Sequence, residues 1–317
     1  MLSPTTKIAL LTLVLAFPAG ASDLAKSVFG RNDGTRLQLK AIPQFLQRVF
    51  VPVVAGAENS FVIENVTIDQ ILETPKGYTL TPHRGGLRIE APAGEAGGYA
   101  RVRAGKREIT LTLVNLVPYS RVRKGWLDGY RIGEYMPKPL RGLLTYSVPK
   151  GFIRLTKANS DLMISDHYRL RDFQCKLDGK NKFLIVRPEV LIKLELLQHE
   201  LATKHGVKFA RFTIMSGYRT PYYNSMIGNK TGYSRHLYGD GLDIYIDRDN
   251  SGGMDDINGD GKVNTDDARF LMRVAESIDN SREWGWLKGG AGIYKANSAH
   301  GPYLHIDARG YTARWGV

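Results

Sequence analysis

The chain has 317 residues, 43% of them hydrophobic, and 44 Lys and Arg outnumber 31 Asp and Glu for a formal net charge of +13. That length suits about two domains, and the single cysteine, Cys175, excludes an intrachain disulfide framework, so stability must come from a packed core or bound metal. The basic excess lies mainly in the first half: residues 22–150 hold 19 basic against 11 acidic residues, net +8, and residues 151–317 hold 24 against 20, net +4. A basic surface of this kind suits anionic envelope polymers or is simply solvated; nucleic acid is disfavoured, because no stacking-aromatic signature accompanies it.

The first 21 residues, MLSPTTKIALLTLVLAFPAGA, carry one lysine, an apolar run from Ile8 to Phe17 and a small-residue Ala-Gly-Ala end. This is the pattern of a secretory signal, with cleavage expected after Ala21. The run is short for a membrane span, and no later stretch is long enough. The mature protein is therefore expected to be secreted or periplasmic, with no transmembrane anchor.

Residues 22–118 are expected to form a small β-rich, sandwich-like domain, because RVFVPVVAG, SFVIENVTI, LRIEAP, GYARVRAG and REITLTLVNLV are β-branched or alternating runs between turn residues. Residues 119–160, rich in Tyr, Gly and Pro, read as a linker or docking strap. Residues 161–317 are expected to be an α+β domain with an antiparallel sheet and flanking helices. Its first helix opens at Pro188, places Leu191, Leu194, Leu197 and Leu201 on one face, and ends before Gly206. His199 and His205 on it read as surface or capping residues. FARFTIMSGYRTPYYN follows as strand, turn and helix start, with Thr220 as N-cap and Pro221 after it.

In GLDIYID, alternation sets Leu242, Ile244 and Ile246 against Asp243, Tyr245 and Asp247. PYLHIDARG repeats the parity, with Leu304 and Ile306 opposite Tyr303, His305 and Asp307. Side by side, these strands would bring Asp243 and His305 to one face, with His236 arriving from the preceding loop. Gly239 and Gly241 would permit the tight approach. Two imidazoles and one carboxylate make a three-ligand set with an open fourth position, as catalytic zinc requires.

The motifs SGYRTPYYN, SRHLYGDGLDI and YLHID, in this order, resemble the D-alanyl-D-alanine zinc peptidases, which include vancomycin-resistance dipeptidases and murein endopeptidases. The likeness runs from about His167 to Trp315. It implies zinc on His236, Asp243 and His305, Arg219 facing the substrate carbonyl, and peptidoglycan peptides as substrate. Many relatives place a glutamate three residues before the last histidine ligand, or a histidine two before it, as general base; this chain has Pro302 and Tyr303 there. The base is thus open. His300 is the first candidate, Glu283 the reserve, and Asp307 a residue that could orient a ligand histidine. A rival reading is a cell-wall-binding protein that keeps the fold and metals without hydrolysis.

The segment 247–267 is an acidic insertion. Asp256, Asn258, Asp260, Lys262, Asn264 and Asp267 occupy the first, third, fifth, seventh, ninth and twelfth positions of a loop that resembles EF-hand and dockerin calcium loops, with Gly261 sixth. Asp267 departs from the EF-hand glutamate. Asp247, Asp249 and Ser251 start the same rhythm one loop earlier, so one or two calcium ions are expected. Phe270, Leu271, Val274 and Ile278 follow at helical spacing.

Overall fold

A computed structural model describes residues 34–64 and 66–316; the expected signal segment, 1–21, lies outside the described residues. The fold is mixed α+β, mostly sheet, with several antiparallel pairings. No helix among the described residues is long and apolar enough to cross a membrane.

Eight strands fill the first part: β1 (Arg36–Leu39), β2 (Arg48–Val54), β3 (Glu58–Ile63), β4 (Gln70–Glu73), β5 (Thr79–His83), β6 (Gly86–Glu90), β7 (Gly97–Ala104) and β8 (Arg107–Pro118). One sheet has the order β1-β3-β6-β5, and in a second β8 lies between β7 and β2 with β4 beyond β7. Alternation along β3 buries Asn59, Phe61 and Ile63, while β8 buries every residue from Leu111 to Val117 because sheet partners flank it on both edges. Asn59 ties the segments together: its Oδ1 accepts from Thr35 N at 2.7 Å and Val54 N at 2.8 Å. Two pairings, β1 with β3 and β2 with β8, are parallel.

The segment that follows wraps the rest of the molecule. It contains β9 (Trp126–Leu127), β10 (Tyr130–Arg131) and β11 (Gly151–Leu155), and β11 pairs with the end of β8 and with β12 (Lys182–Leu184), continuing the second sheet. Its tyrosines reach across the chain: the Tyr135 hydroxyl donates to Leu237 O at 2.9 Å, and those of Tyr146 and Tyr311 pair at 3.0 Å.

The first long helix, α1 (Pro188–Lys204), begins at Pro188 as its spacing predicts, but it is buried nearly all round from Pro188 to Gln198. Lys193 and Glu195 are therefore interior, and each has a partner: Lys193 Nζ donates to Asp279 at 2.6 Å, and Glu195 Oε1 accepts from His167 N at 3.0 Å. His205 ends the helix in solvent, and His199 stacks on Phe45 at 4.0 Å. Then come β13 (Thr213–Ser216), α2 (Pro221–Met226), β14 (Gly241–Tyr245), α3 (Thr265–Asn280), β15 (Gly290–Tyr294), β16 (Tyr303–Asp307) and β17 (Ala313–Trp315). Thr220 caps α2 by accepting from Tyr223 N at 3.0 Å. These strands form a sheet of order β13-β14-β16-β15-β17, antiparallel except that β17 runs parallel to β15. That exception brings Trp315 over Gly292, where an added Cβ would lie 2.3 Å from the indole.

Candidate metal centre and its cavity

The pairing of β14 with β16 sets Asp243 directly opposite His305, both buried. Period-two alternation turns them to the same face, away from Leu242 and Leu304. His236 comes from the tight turn Arg235–Tyr238, which closes at Gly239 with φ +75. A side chain there would strain the backbone and strike Ile185, whose carbonyl oxygen lies 2.7 Å from the Cβ position. Arg235 locks this turn, donating to Asp240 Oδ1 at 2.8 Å and to Thr145 O at 3.0 Å, with its guanidinium over the Tyr146 ring.

One ligand atom from each of His236, Asp243 and His305 falls within 4.8 Å of the others. His236 Nδ1 lies 2.7 Å from Gly217 O. A carbonyl only accepts, so Nδ1 carries the proton and Nε2 presents a lone pair. That Nε2 faces Asp243 Oδ1 at 3.2 Å. Two lone pairs confronted in a buried site call for a proton or a cation between them. Burial pushes the His236 pKa down, which disfavours the proton. His305 places Nδ1 2.9 Å from Asp243 Oδ1 and Nε2 3.2 Å from Asp307 Oδ2. Burial alone would lower its pKa, but the bonds to both carboxylates raise it. Asp243 is held well below the usual carboxylate range, since its imidazole neighbours outweigh burial. The donor set and the outer hydrogen bonds, Gly217 O on one imidazole and Asp307 on the other, therefore fit a zinc ion.

Arg219 stands beside this trio. Its Nη2 donates to Asp243 Oδ2 and its Nε to Ser216 Oγ at 2.9 Å, which commits two of its nitrogens to the ligand sphere. The trio and Arg219 line a cavity of about 830 Å³. The rest of its wall is largely aromatic and basic, including Tyr146, Tyr294, Tyr303, Trp315 and Arg309.

His300 lines the same cavity but lies outside the ligand trio. Its Nε2 meets Asn297 Nδ2 at 2.9 Å and its Nδ1 donates to Gly301 O at 2.8 Å, so both ring nitrogens are engaged within its own loop. Glu283 is exposed and is not part of the cavity wall. Asp243 is the one carboxylate on that wall among the described residues.

The acidic insertion leaves the end of β14 and folds back on itself. Asp256 accepts from Gly259 N and Gly261 N, each at 2.8 Å, and Asp260 Oδ1 from Lys262 N at 2.9 Å; Asn258 Oδ1 accepts from Asp260 N at 2.9 Å. Asp267, buried, accepts from Ile257 N at 2.9 Å and completes a capping box with Asn264 at the start of α3. The carboxylates of Asp256, Asp260 and Asp267 do not gather into one cluster of the kind the His236 trio forms; upstream, oxygens of Asp247, Asp249 and Asp255 do come within 4.8 Å of one another. Asp255 was not among the residues singled out from the sequence; it lies outside the one-three-five rhythm, and Arg248 Nε pairs with it at 2.7 Å. The loop runs close to Gly301, the neighbour of the cavity residue His300: a Cβ added at Gly301 would lie 3.7 Å from Met254 N. Leu271, Val274 and Ile278 of α3 are buried, as their spacing predicts, and Phe270 is half-buried.

Comparison of the chain with protein-family models, with curated proteins and with solved structures finds no match.

Proposed function

We propose that the protein is a secreted or periplasmic zinc-dependent peptidase that hydrolyses peptide bonds of bacterial peptidoglycan, in stem peptides or cross-bridges. The observation that carries this reading is the confrontation of His236 Nε2 with Asp243 Oδ1, beside His305, on the wall of an accessible cavity. Zinc held by His236, Asp243 and His305 would supply an acidified water and polarise the scissile carbonyl. Asp307 and Gly217 O hold the two imidazoles in their ligating orientation. Arg219, through its remaining nitrogen, sets a fixed positive charge where negative charge develops on the carbonyl oxygen. His300, on the same cavity wall, would accept the water's proton and return it to the leaving amine once its bond to Asn297 is released. Calcium would be held in the insertion by Asp256, Asn258, Asp260, the carbonyl of Lys262 and Asp267, with Asp247 and Asp249 as part of a second site; the carboxylate cluster that supports it is the second, with Asp255. Anionic envelope polymers are the partners suited to the basic first half.

The rival reading, a metal-holding cell-wall-binding protein, is favoured by one feature. The cavity wall offers no carboxylate besides Asp243 to act as base. Incubating the zinc-loaded protein with pooled muropeptides and reading products by mass separates the two. New peptide termini support the peptidase, and binding without cleavage selects the rival.

A further inference from the structure

Five tyrosines line the cavity: Tyr146, Tyr233, Tyr294, Tyr303 and Tyr311. The hydroxyls of Tyr146 and Tyr311 satisfy each other, that of Tyr233 donates to Lys138 O at 3.1 Å, and that of Tyr294 accepts from Trp315 Nε1 at 2.9 Å. Tyr303 differs. Only 8% of it is exposed, and no group of the described residues bonds its hydroxyl, which is not among the atoms shut off from solvent but opens to the cavity. A ring buried by its neighbours whose hydroxyl is left to the cavity's solvent is a donor that a ligand's acceptor can take over from water.

Its position narrows what that ligand is. Tyr303 lies two residues before His305 on β16, so both side chains leave the same face of the strand. The ring is held on two sides: it stacks on Tyr294, its cross-strand partner, with centroids 4.6 Å apart and planes 5° apart, and His300 meets it edge-on at 4.9 Å. The hydroxyl is therefore presented from a fixed ring, with little rotamer entropy left to lose on binding. Arg219 has already committed Nη2 and Nε to Asp243 and Ser216, so one of its nitrogens remains for a carbonyl oxygen whose two lone pairs leave room for a second donor.

Resting on the peptidase reading, we infer that Tyr303 is a catalytic hydrogen-bond donor to the carbonyl oxygen of the scissile bond. Water oxygen adds to the carbonyl carbon and the C=O electron pair moves onto oxygen. On collapse the C–N bond breaks, and the amine leaves with a proton that came from the water. The phenol keeps its own proton throughout; it only shortens its hydrogen bond as charge grows on the oxygen. Such a contact stabilises the transition state more than the bound substrate, and so acts on kcat rather than KM.

Tyr303→Phe removes the hydroxyl and preserves the stacked ring. With equal zinc content verified by elemental analysis, its kcat on muropeptides should fall roughly 100-fold with KM little changed. Its affinity for a phosphinate isostere of D-alanyl-D-alanine, measured calorimetrically, should weaken by a comparable factor. Tyr222→Phe, which removes the hydroxyl of an exposed tyrosine outside the cavity wall, should match the parent in both. If Tyr303→Phe matches the parent in turnover and phosphinate affinity, the assignment is overturned and the peptidase reading stands. If the parent itself neither cleaves muropeptides nor binds the phosphinate, both fall.

Discussion

The two acidic regions of the second half are organised by opposite means. Around Asp243, sheet register does the placing: His305 is its cross-strand partner, both are buried, and the ligand atoms face one another with their outer positions bonded elsewhere. In the insertion, local turns do it: the side-chain oxygens of Asp256, Asn258 and Asp260 hold backbone N–H groups of their own loop, and Asp260 stays exposed. A site set by register survives loss of its ion, whereas a site set by a charged loop depends on it, because the uncompensated carboxylates repel. In the sequence between them stands α3, whose first turn holds the buried Asp267 and whose last turn holds Asp279, the partner of Lys193.

The sharpest break in this contrast is His305→Ala. The β14–β16 backbone pairing should persist, so the protein should stay folded by circular dichroism, while zinc retained after dialysis drops to near zero with two ligands remaining. Stoichiometric zinc in that variant would remove His305 from the site. Next in size, Asp279→Ala strips the counter-ion from Lys193, which is fully buried and also donates to Asp307 O at 3.0 Å. Breaking such a pair costs about 3–5 kcal/mol, to be read from urea unfolding. A loss below about 1 kcal/mol, the scale of an exposed pair, would mean that α3 is not tied to β16 in this way.

The insertion should answer in the opposite sense. Calcium at 100 times its dissociation constant should add about 2.7 kcal/mol to the folded state and slow protease cutting between residues 247 and 267. Asp260→Ala should abolish that protection while leaving zinc content intact. Equal cutting in parent and variant, with and without calcium, would reduce the loop to a solvated insertion. The smallest effect is expected where His167 pairs with Glu195 of α1 at 2.6 Å. That hydrogen bond raises the His167 pKa above its ordinary 6.5 despite partial burial. A raised folded-state value contributes stability that is fully present below about pH 6.5 and lost as pH climbs through the raised value. Solvent reaches the imidazole, so the effect is small. His167→Ala should therefore flatten the pH dependence of the melting temperature on the alkaline side of 6.5, and an unchanged slope would exclude the pair as its source.

Much of the candidate site was legible in the sequence because it rests on short-range rules. Alternation in GLDIY and YLHID put Asp243 and His305 on the polar face of their strands, Thr220 and Pro221 announced α2, and the spacing of Leu271, Val274 and Ile278 announced the buried face of α3. What stayed hidden depends on partners far along the chain. The interior charge of Lys193 makes sense only with Asp279, 86 residues away, and the strap's tyrosines only with Leu237 and Tyr311. The parallel β2–β8 pairing and the passage of β8 into β11 are likewise choices of topology that no local pattern encodes. Tyr303 could be placed on the correct face, but a hydroxyl that no protein group bonds and that opens to the cavity becomes visible only after every neighbour has been located.

The separation of 62 residues between Asp243 and His305 also bears on how the chain assembles. Contacts of long sequence separation form late, because closing the intervening loop costs entropy before any pairing offsets it. The whole acidic insertion lies inside that interval, together with α3 and β15. Any ion that orders the insertion shortens the flexible chain still to be closed, and so speeds the docking of β16 onto β14. An element whose charges repel in the absence of its ion would then act on the rate of folding as well as on the finished structure.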